Sequence, residues 1–142
     1  MRDPLVFPAV GAAGAAGPSA VTLVIPAELY YAALVKAVAG HLGARAGLTV
    51  TEITDLRLAV DEACGLLLPR SAGDGEACCW FVQDEAGLRI TFSAADIGQD
   101  TPDTDGFGWL VLAALVDDLD WSRDGGRIRV DIVKRPLLRD DY

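Results

Sequence analysis

The sequence predicts an α+β fold: a two-layer sandwich in which one mostly antiparallel sheet carries three helices on one face. Three observations lead there. Apolar, strand-like segments recur at 21–25, 77–83, 88–93 and 127–134, and in the last of these Ile128, Val130 and Ile132 alternate with Arg127, Arg129 and Asp131. Two segments of helical period lie between the first and second strands. The order is therefore strand, two helices, two strands, loop, helix, two strands.

Residues 1–20, MRDPLVFPAVGAAGAAGPSA, are rich in Gly, Ala and Pro and follow neither period, so a mobile tail is expected there. The domain proper is expected over 21–135, with a short polar tail at 136–142. Val21 to Ile25 form the first strand, which Pro26 stops. An Ala-rich helix follows from Ala27 or Glu28 to about Leu42. Leu29, Ala32, Leu34, Val35, Val38 and Leu42 are its apolar face and Gly43 its stop. His41 falls in its last turn, where the helix dipole favours a cation, and reads as structural. Tyr30 and Tyr31 at its start belong either to the core or to a dimer or partner surface.

The next helix organises the chain. Thr49 and Glu52 have the spacing of a capping box, and Ile53, Leu56, Val60, Ala63 and Leu67 then recur at steps of three and four until Pro69 ends the run. A turn cluster at Ser71–Gly75 leads to two strands joined around Asp84-Glu85-Ala86-Gly87. After a polar loop from Ala95 to Asp105, Trp109 to Val116 are apolar on every side, as a helix covered on most sides is. A hairpin turning at Asp124-Gly125-Gly126 closes the domain.

Composition limits the chemistry. The chain has 142 residues, 51% of them hydrophobic and 23% charged, which fits one globular domain with a proper core. Three cysteines, two of them adjacent in a strand, do not make a disulfide framework, and a reducing cytoplasm is expected. With a single histidine and no C-x-x-C pair, neither a zinc site nor a histidine-based triad is supported. The apolar patch at Leu5 to Val10 is too short for a membrane span or a signal-peptide core. The net charge is −9, and Asp96 to Asp124 hold eight aspartates against Arg123 alone. Such a surface repels phosphate backbones, so direct nucleic-acid binding is disfavoured, and it attracts a basic protein partner. Solubility alone also accounts for acidic surfaces.

Candidate site residues lie on a second stripe of the central helix. Thr54, Leu58, Glu62 and Leu66 are four apart, which puts Glu62 between apolar neighbours one turn above and below. Such a carboxylate either pairs with a basic residue at the border of solvent or belongs to a site.

The run Leu56-Arg57-Leu58-Ala59-Val60-Asp61-Glu62-Ala63-Cys64 resembles the helix that carries the Glu-Ala-x-x-Asn box in anti-sigma factors of the histidine-kinase-like ATPase (GHKL, or Bergerat) fold. Residues 106–119, beginning Gly106-Phe107-Gly108-Trp109, resemble that family's second glycine box and following helix. The likeness covers roughly residues 20 to 135 and is strongest to anti-sigma factors of stress-type and sporulation-type sigma factors in actinobacteria.

The resemblance implies ATP and Mg²⁺ as cofactors, with Glu62 as the base. Leu66 stands where the family has the asparagine that gives Mg²⁺ an oxygen, and a leucine has no lone pair for a hard cation. Asp96 and Gly98 supply part of an Asp-x-Gly-x-Gly turn whose aspartate would hold adenine. Alignment by strand hydrophobics puts Ala94 there instead, and Asp96 then belongs to an ordinary turn. Gly106 and Gly108 would let phosphate approach a helix N-terminus, although Thr104 and Asp105 sit where a side chain caps the same N–H groups. ATP binding is therefore expected to be weak or absent, with no metal ligand at Leu66. The implied function is an anti-sigma factor that sequesters an alternative sigma factor, is relieved by an anti-anti-sigma partner, and forms a homodimer through its first strand and helix. An active serine/threonine protein kinase acting on the anti-anti-sigma protein is the alternative.

Overall fold

The computed structural model describes residues 19–68, 75–95 and 103–137. Most of the two expected tails, together with Pro69, most of the Ser71–Gly75 turn cluster, Asp96 and Gly98, lie outside the described residues. Five strands form one sheet in the order β1 (Ser19–Pro26), β2 (Glu76–Asp84), β3 (Gly87–Ala95), β5 (Arg127–Lys134), β4 (Asp118–Asp124), and every pairing is antiparallel. The helices are α1 (Ala32–Arg45), α2 (Val50–Leu67) and α3 (Phe107–Leu115), and a short 3₁₀ turn, Leu29–Tyr31, leads into α1. The α+β sandwich expected from the sequence is the observed fold.

One core joins all three helices to one side of the sheet. Register places Leu23, Cys79, Phe92, Val130 and Trp121 in one row across the five strands, and Phe81, Ile90 and Ile132 in the next. Against these rows pack Val35 and Ala39 of α1, Leu56, Val60 and Ala63 of α2, and Leu112 of α3. Alternation along each strand sends the neighbouring residues to the opposite face. There the Arg129 guanidinium lies 5.7 Å from the centre of the Trp80 ring, Thr91 donates to the Asp131 carboxylate, and Arg127 donates to Ser93 Oγ at 2.7 Å. Such contacts let Trp80, Thr91 and Ser93 be buried on a sheet face that the core helices do not occupy.

Local chemistry explains the element ends. The capping box of α2 forms: Thr49 Oγ1 accepts from the Glu52 N–H at 3.1 Å, and the Glu52 carboxylate accepts from the Thr49 N–H at 2.7 Å. Glu52 is buried and also accepts from the Leu137 N–H at 2.8 Å, which ties the end of the domain to the start of α2. The helix ends at Leu67, and Leu68 is already extended, the conformation that a following proline imposes.

Three boundaries differ from expectation. Helix α1 starts at Ala32 and not at Ala27 or Glu28, because the 3₁₀ turn precedes it, and Gly43 does not stop it, since it continues to Arg45. Gly43 is instead a point of close approach, where a methyl group would meet Leu48, Leu56 and Ile53 at 3.2–3.4 Å, and the turn falls at Gly47 with a φ of 87°. His41 therefore stands a turn before the end, and Arg45 is the cation of the last turn. The third is α3, which begins at Phe107, two residues before the expected start, and is far from covered: Leu112 alone of its nine residues is buried. Gly125 and Gly126, at φ 59° and 78°, make the two-residue turn of the closing hairpin.

Candidate functional site

The site candidate is the seam between α2 and α3. Gly108, in the first turn of α3, lies against Glu62 and Leu66 of α2: a methyl group there would come within 3.3 Å of Glu62 Oε2 and 4.0 Å of Leu66. At the other end, Lys134 Nζ donates to the Leu115 carbonyl at 2.9 Å and stands 4.0 Å from Asp55 Oδ2 of α2. The start of α3 therefore meets the late turns of α2, and its end meets an early one, so the helices run antiparallel. Nothing in the sequence pattern pointed to Lys134 as this clamp, because its alternation with neighbours only says strand.

Three of the expected site residues come together here: Glu62, Gly108 and, at the N-cap of α3, Gly106. Leu66 joins them on the α2 side. Asp96 and Gly98 lie outside the described residues, although β3 ends at Ala95, immediately before them. Ala94, the alternative position, is buried beside Cys64, Leu67 and Leu68 in the core, where it offers no polar group.

The start of α3 differs from expectation. Thr104 and Asp105 do not cap it: Gly106 is the N-cap and no side chain accepts from the first turn. The cause is an Asx-type turn one step earlier, in which Asp103 Oδ1 accepts from the Asp105 N–H at 3.1 Å and the Asp103 carbonyl accepts from the Gly106 N–H at 2.9 Å. That turn presses the Asp103 carboxylate so close to Gly106 that Oδ2 is 2.8 Å from where a methyl group would project, so a side chain at 106 would require the Asp103 carboxylate to shift. Two carboxylates, Asp103 and Glu62, thus flank the positive end of α3.

Glu62 is half-buried and makes no hydrogen bond or ion pair among the described residues. The basic groups that meet α2 are engaged elsewhere: Arg57 donates to the Lys36 carbonyl at 3.4 Å, Lys36 pairs with Asp61 at 3.4 Å, and Lys134 serves Leu115 and Asp55. The chemistry of these residues is unfavourable to the Mg-nucleotide that the resemblance implies. Position 66 offers carbon where the cation needs oxygen, and two carboxylates stand where phosphate would approach. Other aspartates of the acidic segment are also occupied, since Asp117 accepts from the Arg135 N–H at 2.7 Å and Asp118 pairs with the Arg135 guanidinium.

The cysteines do not add a reactive centre. Cys64, Cys78 and Cys79 all line one apolar cavity of about 10 Å³, too small for a ligand. Burial pushes the Cys64 thiol up to about 12, with Asp61 adding to the shift and Lys36 opposing it, and burial raises Cys79 as well. Neither is a thiolate near neutrality. Among the described residues there is no cluster able to hold a metal ion, and no helix long and apolar enough to cross a membrane.

No family model matches the chain. Over 109 residues it is 33% identical to the anti-sigma-F factor RsbW of Mycobacterium tuberculosis, in each of two strains, CDC 1551 and H37Rv. The matched stretch takes in 77% of this chain and 65% of the relative, so the chain spans just under two thirds of the length of the curated relatives it matches.

Proposed function

We propose that the chain belongs to the histidine-kinase-like ATPase (GHKL, Bergerat) fold family and is an anti-sigma factor that works by stoichiometric capture, with little or no use of ATP, a reading supported by its 33% identity over 109 residues to an anti-sigma-F factor. It binds an alternative sigma factor in the cytoplasm and withholds it from promoters. An anti-anti-sigma protein relieves the block by competing for the chain. The observation that carries this reading is the seam itself. The helix and glycine-box framework are retained, while Leu66 replaces the Mg²⁺ ligand and Asp103 joins Glu62 at the phosphate-facing end of α3. A homodimer through β1 and α1 belongs to the same reading. Tyr30 and Leu34, one turn apart on the outer side, are 82% and 46% exposed, and Tyr31 packs inward against the core.

Titration of the purified chain with the alternative sigma factors of its host, read as inhibition of promoter-directed transcription, is expected to show loss of transcription at one equivalent or a small fixed ratio. Calorimetry with Mg-ATP is expected to show no saturable binding at micromolar concentrations. The retained, unpaired Glu62 favours one rival, an active kinase. Micromolar Mg-ATP affinity together with phosphate transfer to a serine or threonine of an anti-anti-sigma protein establishes that rival. Leu66→Asn sharpens the choice: a gain in Mg-ATP affinity of tenfold or more would make residue 66 the main defect, and no gain puts it in the carboxylates around α3.

A further inference from the structure

At one end of the domain α1 and the sheet do not close on each other. Val35 and Ala39 seat the helix on the sheet, but one turn later Leu42 is only partly buried. Between it and the sheet lies a cavity of about 170 Å³. Register accounts for its walls: Val21 pairs with Phe81, and Leu88 pairs with Gln83, so all four alternate onto the helix-bearing face where β1, β2 and β3 run out. This is not the α2–α3 seam. Leu88 stands near the start of β3 and Ala94, beside Leu67 at the end of α2, near its finish, about 20 Å along the strand.

The cavity is apolar at its floor and polar at its mouth. Phe81 and Leu88, each 1% exposed, make the floor, and His41 and Arg45, exposed and one turn apart on α1, line the mouth together with the half-buried Gln83 of β2. None of these three side chains has a hydrogen bond or ion pair among the described residues. Arg45 is not needed to cap its own helix, because the N–H groups of Ala46, Gly47 and Leu48 already serve the carbonyls of Leu42, Gly43 and Ala44. Elsewhere in this acidic chain Lys36, Lys134 and Arg135 are paired with aspartates. Asp84, next to Gln83, alternates to the opposite face, and its carboxylate accepts from the Ala86 N–H at 2.8 Å. An apolar interior with a few convergent polar groups is the make-up of a small-molecule site, and a volume below the roughly 300–1,000 Å³ of sites for drug-sized ligands limits the occupant to a small one. A guanidinium free at the mouth selects an anion, and a carboxylate matches its fork. We propose that this cavity binds a small amphipathic carboxylic acid, its apolar body on Phe81 and Leu88 and its carboxylate held by Arg45, with His41 and Gln83 as further donors. The site is separate from sigma capture and does not depend on that reading.

The test is calorimetry on the full chain with octanoate as the probe, beside octylamine, which has the same body and the opposite charge, and acetate, which has the head without the body. Octanoate is expected to saturate at one per chain with a Kd of about 0.1–1 mM, modest for a ligand of about ten non-hydrogen atoms, and the other two to bind at least about tenfold more weakly. Arg45→Gln is expected to weaken octanoate about tenfold. Val21→Trp fills the cavity from a strand position that is 41% exposed and is expected to abolish saturable binding. Neither variant removes a buried group or a partner, so thermal unfolding near that of the parent is expected and separates binding from folding. Absence of saturable octanoate binding to the parent overturns the site, as does equal affinity for octylamine, or octanoate affinity within twofold of the parent in both variants. Conversion of a dimer to a monomer by Val21→Trp, in a parent that does not take up octanoate, assigns the cavity to a second copy of the chain and also overturns it. None of these outcomes bears on sigma capture, which the transcription titration tests by itself.

Discussion

Helices α2 and α3 lie side by side and are built on opposite principles. In α2 a capping box sets the start, the buried face repeats Leu56, Val60 and Ala63, and charged residues occupy much of the rest. In α3 no side chain caps the start, no polar face exists, and Leu112 is its one buried residue. The first is held by its own sequence and the core. The second reaches the core through Leu112, with Trp109 and Leu115 partly buried against it, and is otherwise held by neighbours: the Asp103 turn at one end, the Lys134 clamp at the other, and α2 along its flank. An element held that way leaves its outer surface open.

The sharpest way to break this comparison is to remove one leucine from each helix. Leu56 is fully buried and packs in the main core, so Leu56→Ala is expected to cost about 2–5 kcal/mol of stability. Leu110→Ala is expected to change stability by less than about 0.5 kcal/mol, as exposed substitutions do. Urea unfolding of the two variants measures both. Equal losses would mean that α3 is as integral to the core as α2.

Glu52 sharpens the comparison at the helix starts. Its carboxylate accepts from the Thr49 and Leu137 N–H groups in a buried position, and no counterpart exists at α3. Glu52→Ala leaves both donors without that acceptor, and a loss of about 1–3 kcal/mol is expected. Limited proteolysis of the same variant is expected to cut sooner near Leu137. An unchanged digestion pattern would show that the chain end is held by other contacts.

Cys64 tests α2 by pH. In the folded chain its thiol is pushed from an ordinary value of 9.0 up to about 12, chiefly by burial. The folded state thus keeps this proton more tightly than the unfolded state. The resulting stability is complete below pH 9.0 and is lost as pH rises from there towards about 12. Urea unfolding at a series of pH values is expected to show that decline, less steep in Cys64→Ala. Cys79 is raised by the same cause, so some decline persists in the variant. Identical slopes would mean that the Cys64 thiol is not desolvated.

These contrasts also mark what could be read in advance. The α+β sandwich, the capping box and the buried stripe of α2 follow from periodicity, because one face of each element meets the core and the other meets water. At α3 that logic has nothing to grip, since FGWLVLAAL is apolar on every side and its period cannot say which side is covered. Gly43 was misplaced as a stop because helix-to-helix contact and helix termination both favour glycine, and only the neighbours Leu48 and Leu56 separate the two uses. At the site, Glu62 was legible from its apolar flanks and from resemblance. The approach of Asp103 to Gly106 was not, because it depends on a turn whose spacing differs by one or two residues from an ordinary cap.

The smallest expected effect bears most directly on the seam. Gly108→Ala replaces a flexible residue in the first turn of α3, where alanine favours helix by up to about 1 kcal/mol and by less near an end. Against this, the new methyl group would lie 3.3 Å from Glu62 Oε2, tighter than ordinary contact. The outcome turns on whether Glu62 can move. Its carboxylate is half-buried, has no partner among the described residues to lose, and sits at the end of a flexible side chain, so it can swing outward. The helix term should then prevail, with a gain of a few tenths of a kcal/mol in urea unfolding. A clear loss instead would mean that Glu62 is pinned against α3. The contrast between a self-sufficient α2 and an α3 held by its neighbours would then have to be redrawn, with Glu62 as part of what holds α3 down.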